Sequence, residues 1–238
     1  MKPTLTMVAS VLALAACQKA ADAPRQEATA PPTAPSASPG EPVLAPLPTK
    51  APAGAYALDP SHTSLTFKLS HLGFSNYTAH FTKVSGKLAF DPARPAAMTV
   101  EATVDPRSLE LNAPPKGFQE ELTGKGWLDA GAFPAIAFKS TKIEPTGANT
   151  ANVTGDLTLH GVTKPVVLAV TFNGGWAANA YDGARIGFSA KGTIKRSDFG
   201  IGFGLPAPGT NMGVGDRIEL AIETEFASGK PTAPATAN

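Results

Sequence analysis

The stretch that most constrains the fold is residues 152–176, which read NVTGDLTLHGVTKPVVLAVTFNGGW. Two runs of β-favouring residues flank the short segment His160-Gly161-Val162-Thr163, and this pattern predicts a β-hairpin. In the first run, polar residues alternate with Val153, Gly155, Leu157 and Leu159, as in a sheet with one dry face. In the second run Val167 and Ala169 are also apolar, which predicts that this strand is covered on more of its surface.

The same alternation recurs along most of the chain. Besides the two hairpin arms, the predicted strands are 55–59 (ended by Pro60), 64–71, 83–90, 98–104, 135–143, 184–195 and 216–226. Residues 73–80 are predicted to be irregular, and 118–122 and 127–133 to form short helical turns. Roughly eight to ten strands at hairpin-length spacings predict an all-β antiparallel sandwich or barrel, and a barrel removes exposed edges.

The sequence pattern does not decide whether the interior of such a barrel is a ligand cavity or a packed core. An eight-stranded barrel is about wide enough inside to hold one small ligand. The inward positions include the small residues Gly86, Ala102, Gly155, Ala190 and Gly192. These reduce the side-chain volume available to fill the interior and so allow a tunnel, but glycines equally mark bulges or bends. A ligand cavity and a packed core therefore both remain possible.

The N-terminus predicts export. Residues 1–16 have the basic Lys2, an apolar stretch and small residues before Cys17, which is typical of a signal peptide and far short of the roughly 18–20 residues of a membrane span. The ending Leu14-Ala15-Ala16-Cys17 resembles a bacterial lipobox, in which the cysteine becomes lipidated; the alternative is an ordinary signal peptide. The residue after the cysteine is Gln18 and not the Asp that resembles a signal for retention in the plasma membrane. We therefore expect a periplasmic protein anchored to the inner leaflet of the outer membrane.

Composition divides the rest of the chain. Residues 17–54 are rich in Ala, Pro, Ser and Thr and predict, after Cys17, a disordered tether with a reach on the order of 100 Å. Residues 55–227 are the predicted folded domain, and 228–238 a disordered tail. With Cys17 lipidated the domain has no thiol, which excludes disulfides and thiol catalysis. The chain has 20 Lys and Arg residues and 19 Asp and Glu residues, so it lacks the excess of positive charge that is typical of nucleic-acid-binding proteins.

A family resemblance rests on a series of short motifs, which lie in order along residues 56–226. They are Tyr56-Ala57-Leu58-Asp59, Ser61-His62-Thr63-Ser64, His71-Leu72-Gly73, Gly86-Lys87-Leu88-Ala89-Phe90-Asp91, Trp127-Leu128-Asp129, Gly155-Asp156-Leu157-Thr158-Leu159-His160-Gly161-Val162-Thr163-Lys164-Pro165 and Arg196-Ser197-Asp198-Phe199-Gly200. In these the chain resembles the YceI-like family of secreted bacterial lipid-binding domains. The resemblance implies an extended lipocalin-like antiparallel β-barrel of about eight strands with a short helical insertion. It also implies a bound polyisoprenoid, isoprenoid quinone or other long-chain amphiphile, and a part in stress tolerance.

The predicted site combines inward apolar residues with a few polar ones. The predicted ligand-binding residues are Leu65, Phe67, Leu69, His71, Val100, Phe138, Leu157, Phe188, Arg196 and His62. His71 faces the apolar row, where it either contacts a polar head or quinone carbonyl or is a satisfied core histidine. Arg196 either pairs with Asp198 or Asp59, or serves as a cation for a phosphate or carboxylate head.

The remaining histidines have plainer interpretations. His62 either makes a structural hydrogen bond to backbone or touches a ligand head group, and His160 is expected to stabilise its turn. The spacing of the four histidines predicts no metal site, and no serine sits on a strand–turn–helix elbow. The leading hypothesis is a non-enzymatic carrier of a hydrophobic long-chain molecule. The alternatives are a quinone-linked redox accessory acting through His71 and His62, and a filled barrel that binds a protein; a homodimer is left open.

Overall fold

The computed structural model of the protein describes residues 47–229. The predicted signal peptide, Cys17, and most of the predicted tether and tail lie outside these residues. The strands are β1 Gly54–His71, β2 Ser75–Phe81, β3 Val84–Phe90, β4 Thr99–Val104, β5 Leu109–Leu111, β6 Ile136–Pro145, β7 Thr150–Leu159, β8 Val162–Trp176, β9 Arg185–Lys195 and β10 Val214–Ala227. One α-helix, α1 Phe118–Thr123, and three short 3₁₀ turns complete the described elements. Within residues 47–229, no helix is both long enough and apolar enough to span a membrane.

The sheet closes on itself. Every strand pair is antiparallel, and the order β10-β9-β8-β7-β6-β4-β3-β1 is completed by pairing of β10 with β1. The N-terminal part of β1 pairs with β3, while its C-terminal part pairs with β2, which in turn carries β5. The molecule is thus an eight-stranded antiparallel barrel with a two-stranded extension and one short helix. The predicted barrel with a helical insertion is confirmed, and the sandwich alternative is wrong.

The prediction that Pro60 ends the first strand is wrong. β1 pairs with β10 on both sides of the proline, with Asp59 opposite Glu225 and Ser64 opposite Glu223. Three more residues therefore lie on β1 than on its partner between these pairs, which is a bulge. Residues in a bulge do not donate to the ladder, so a proline without an N–H is tolerated there.

The extension contains strands that the pattern analysis missed. Residues 75–81, predicted to be irregular, form β2, and residues 109–111 form β5. The helical turn predicted at 118–122 is present as α1, whereas 127–133 form turns without a helix. Val167, predicted to be covered, is 52% exposed, because it lies on the outer face of the barrel wall.

The apolar side chains form three separate clusters. We name the two ends of the barrel after the first and last residues of β1, the Gly54 end and the His71 end. One cluster lies toward the Gly54 end and includes Tyr56, Phe90, Phe172 and Ile186. The other two lie toward the His71 end, and they include Leu157, Leu159, Ile194, Phe199 and Ile201 in one and Ala79, Phe81, Val104 and Leu109 in the other. No single packed core fills the space among them, and this space is the candidate site.

Candidate ligand cavity

A cavity of about 1310 Å³ occupies the interior of the barrel. Residues from all ten strands line it, together with the segment around α1 and the β6–β7 turn. This volume exceeds the roughly 300–1,000 Å³ of sites for drug-sized ligands. Most of the lining is aliphatic or aromatic; the polar or charged residues in it are Thr63, His71, Tyr77, Asn112, Glu121, Thr146, Asn149, Thr150, Arg196 and Thr224. The chemistry of the walls suits an apolar ligand with a small polar part.

The alternation of each strand sends large apolar side chains into this space without filling it. Leu69 and Leu168 line the cavity on strands at different positions around the barrel, and both stay only partly buried. An inward-facing leucine in a packed core would be fully enclosed, since protein interiors are close-packed. Their remaining exposure is therefore to the hollow interior.

The small inward residues do not share one role. Ala102 and Ala190 line the cavity. Gly155 and Gly192 are instead covered by neighbouring side chains: a Cβ on Gly155 would lie 2.4 Å from Cζ of Phe138, and one on Gly192 would lie 2.6 Å from Cδ2 of Leu168. These two glycines thus allow a large neighbour to lie flat against the wall, a use that neither sequence interpretation anticipated.

Nine of the ten predicted site residues line the cavity. They are Leu65, Phe67, Leu69, His71, Val100, Phe138, Leu157, Phe188 and Arg196. His62 does not line it: it lies in the β1 bulge with its side chain 55% exposed, and its Nδ1 is 3.0 Å from Oδ2 of Asp59. That bond is to a side chain, so the expected bond to backbone is not what the structure shows. That the nine residues bind a ligand stays a prediction.

His71 is not a core histidine. It lies exposed at the end of β1 and lines the cavity there, with its ring centre 6.5 Å from that of Tyr77. Tyr77 and Asn112, which sequence reasoning missed, also line this end of the cavity. Neither these two side chains nor His71 makes a hydrogen bond to another described residue. The alternation of Tyr77, Ala79 and Phe81 was the signal that could have placed β2 in the wall.

Arg196 is held by the backbone rather than by a carboxylate. It is 2% exposed, and its guanidinium donates to the carbonyls of Gly215 at 3.0 Å, Ile201 at 3.0 Å, Phe203 at 2.7 Å and Val214 at 2.7 Å. Burial lowers its pKa from the ordinary arginine value. The predicted pairing with Asp198 or Asp59 is therefore wrong. A loop connects the turn that follows β9 to the start of β10. The Arg196 side chain bonds to both ends of this loop.

Asp59 belongs to a second polar cluster, on the outside of the barrel. Nη1 of Arg185 lies 2.7 Å from Oδ2 of Asp59 and 3.1 Å from Oε2 of Glu225. Hydrogen bonds from Arg185 and then His62 hold the pKa of Asp59 well below its usual range. Ligand atoms of Asp59, His62 and Glu225 lie within 4.8 Å of one another. Arg185 already supplies the positive charge there, so the cluster is a structural ion-pair network.

Comparisons with known proteins agree with this geometry. A UPF0312 protein of Pseudomonas fluorescens is 42% identical over 155 residues, which cover 62% of this chain and 77% of that protein. The crystal structure of Burkholderia cenocepacia BcnA is similar with a TM-score of 0.60 at 30% identity, covering 71% of this chain and 98% of BcnA. A polyisoprenoid binding domain from Saccharophagus degradans, implicated in plant cell wall breakdown, has a TM-score of 0.54 over 73% of this chain and 98% of its own; at 13% identity it shows the shared fold. The model of the YceI-like domain matches residues 56–226, most of the barrel, and this chain therefore belongs to the YceI-like domain family.

Proposed function

We propose that this protein is a carrier or sequestering protein that holds one long-chain amphiphile inside its barrel. The observation that carries the proposal is the apolar cavity of about 1310 Å³ within a closed sheet. An isoprenoid, an isoprenoid quinone or a fatty-acid-like lipid has the matching chemistry. Removing its tail from water contributes about 0.8 kcal/mol per methylene, so most of the binding energy comes from the walls.

The dimensions of the barrel favour an extended tail over a compact ligand. β10 has 14 residues, and strands rise about 3.4 Å per residue and tilt by roughly 40° in barrels of this size. The wall is therefore on the order of 35 Å tall. The cluster at the Gly54 end crosses the barrel, since Phe90 of β3 stacks on Phe172 of β8 with 5.9 Å between ring centres. An extended tail would therefore run from the His71 end toward this cluster.

The polar head of the ligand lies at the His71 end in this proposal. His71, Tyr77 and Asn112 line the cavity there with hydrogen-bonding groups that no described residue engages. Arg196 lies at the same end, but its donors are largely used by four carbonyls, so we assign it to the loop and not to the head group. A carbonyl, hydroxyl or carboxyl head would bond to the imidazole, the phenol and the amide.

The proposal extends to where the carrier works. Lipidation of Cys17 would anchor the protein in the periplasm at the inner leaflet of the outer membrane, with the residues before the barrel as a tether. The polyisoprenoid binding domain of Saccharophagus degradans supports the ligand class by analogy of fold. A role in stress tolerance, by sequestering harmful amphiphiles or supplying a quinone, is part of the same proposal.

Extraction of the purified protein with organic solvent, followed by mass spectrometry, tests the ligand. We expect a co-purifying amphiphile in near-stoichiometric amount from the wild type. Ala190→Trp places a large ring in the cavity and should abolish it, whereas Ala169→Trp places the same ring on the outer face of the neighbouring strand and should not. Absence of any amphiphile from the wild type, or equal amounts in both variants, would sink the proposal.

The position of the head group has its own test. Tyr77→Phe and His71→Ala should each weaken binding of a fatty acid several-fold while leaving binding of the corresponding alkane unchanged. Thr150→Val, at the Gly54 end of the cavity, is the matched control and should alter neither. If only the control variant discriminates acid from alkane, the head group lies at the opposite end.

A further inference from the structure

Exposed apolar side chains collect on two loops at the His71 end. Six large apolar side chains are prominently exposed in residues 47–229, and three of them belong to these loops: Phe74 at 81%, Phe203 at 59% and Met212 at 65%. Phe74 lies in the turn between β1 and β2, and the other two lie in the loop before β10. The remaining three are Val167 on the barrel wall and Trp176 and Tyr181 at the Gly54 end.

The two loops touch, so the three side chains form one surface, which we name the mouth patch. The backbone N–H of Leu72 donates to the carbonyl of Gly213 at 2.8 Å, and that of Val214 donates to Gly204 at 2.7 Å. A Cβ on Gly73 would lie 2.9 Å from Cβ of Asn211. Each residue of the patch is thus next in sequence to a contact that joins the loops or closes the second loop.

The segments that carry the mouth patch have no charged side chains. Residues 69–77 and 199–215 contain no Asp, Glu, Lys or Arg, although such residues make up 16% of the chain. Charged residues lie instead on the loops of the Gly54 end (Lys50, Asp91, Arg94 and Asp182) and on the segment around α1 (Lys116, Glu120, Glu121 and Lys125). A protein–protein interface has a polar rim, whereas the side chains that insert below lipid headgroups are apolar or aromatic, as Phe74, Phe203 and Met212 are.

The mouth patch is also continuous with the cavity. Phe203 lines the cavity and packs edge-on against Trp127 at 5.4 Å between ring centres, and His71 and Val214 line it beside them. Arg196 fixes the loop from within by bonding to carbonyls at its two ends. The apolar surface outside therefore leads into the apolar interior past Phe203 and Val214, while the guanidinium of Arg196 is 2% exposed and bonded to backbone carbonyls.

We propose that the mouth patch docks on the surface of a lipid bilayer and inserts Phe74, Phe203 and Met212 below the headgroups. Docking here lets an amphiphile pass between bilayer and barrel without exposing its tail to water, so this inference rests on the proposed function for its purpose. The lack of charge in both loops predicts binding to neutral phosphatidylcholine as well as to anionic lipid, with little dependence on salt.

Site-specific labels test the contact. In the full chain with Cys17→Ser, single cysteines at Phe74→Cys, Phe203→Cys and Met212→Cys are labelled with an environment-sensitive fluorophore. Val167→Cys and Trp176→Cys, exposed apolar positions elsewhere, are the controls. On phosphatidylcholine vesicles containing brominated acyl chains, we expect several-fold stronger quenching at the three patch positions than at the controls. Equal quenching at all five positions, quenching confined to the controls, or none at any position would overturn the proposal.

Transfer kinetics link the contact to cargo. The triple variant Phe74→Ser, Phe203→Ser and Met212→Ser should release a bound fluorescent fatty acid to vesicles several-fold more slowly than wild type, and Val167→Ser should match wild type. Unchanged transfer in the triple variant would contradict docking as the route of exchange. The label experiment needs no cargo, so a negative result would contradict the docking surface without contradicting the cavity proposal. Conversely, an extract without an amphiphile would contradict the cavity proposal without changing the label result.

Discussion

Asp59 receives hydrogen bonds from two side chains, one near in sequence and one far away. His62 reaches it across the β1 bulge, and Arg185 comes from the start of β9. The same guanidinium also bonds to Asp182 and Glu225. This network holds the bulge of β1 against β9 and β10, so the charge of a single carboxylate affects the packing of three strands.

Replacement Asp59→Asn should lower the free energy of unfolding near neutral pH by about 1–3 kcal/mol, since hydrogen bonds to a charged group are lost. The pKa of Asp59 is depressed in the folded state. Its stabilising contribution is therefore present above the unfolded-state pKa of about 3.9 and is lost as the pH falls toward the folded-state value. Denaturant titrations between neutral pH and pH 3 should show a shallower acid loss for Asp59→Asn. Asp156→Asn, on the exposed face of β7, should behave as wild type.

Gly155 gives a second prediction at this scale. Its missing side chain leaves room for the ring of Phe138, and a Cβ there would also lie 2.6 Å from the carbonyl oxygen of Lys139. Because a backbone atom cannot give way cheaply, Gly155→Ala should cost about 1–3 kcal/mol of unfolding free energy. Gly187→Ala in β9 is the control, since its nearest atoms lie at 3.9 Å. Thermal unfolding of the two variants should separate them, and equal melting temperatures would contradict this account.

At the level of elements, the loop before β10 depends on one side chain from the turn that follows β9. Arg196→Met removes donors from four carbonyls and should lower the unfolding free energy by at least about 2 kcal/mol. Hydrogen exchange of the Val214 amide, which donates to Gly204, should become faster by an order of magnitude or more. Arg196→Lys should not restore it, because an ammonium group cannot span the guanidinium's four acceptors. Arg217→Met, which removes an exposed arginine from β10, should leave this exchange unchanged.

The sequence predicts a strand where polar and apolar residues alternate over six or more residues and turn residues separate that run from the next strand. β3, β4, β7 and β9 follow their predicted spans closely, and the predicted hairpin turns at His160-Gly161, where both residues have positive φ. β5 has three residues, too few to show a period. Its partner β2 directly follows the turn after β1, and the two were predicted together as one irregular segment. The prediction that Pro60 ends the strand is wrong because a bulge is defined by the register with the partner strand, which the sequence alone does not show.

At the scale of the whole molecule, alternation predicted which residues face inward but not how far apart the facing walls stand. Nine predicted site residues line the cavity because inward direction alone places them there. The hollow itself follows from closure between β1 and β10, a contact between the two ends of the domain that no local pattern contains. The position of His71 at the end of β1 and the outward position of His62 follow from the same closure.

A hollow barrel should be less stable empty than filled. If the cavity binds an amphiphile, then a fatty acid added to the delipidated protein at about 100 times its Kd should raise the free energy of unfolding by about 2.7 kcal/mol. Ala190→Trp fills part of the cavity, so its empty form should be at least as stable as delipidated wild type, and its increment with fatty acid should vanish. Ala169→Trp on the outer face should keep the full increment. Chemical denaturation of the three proteins with and without fatty acid measures both quantities. A wild type whose stability is unchanged by any amphiphile, with a less stable Ala190→Trp, would show an interior that tolerates no guest.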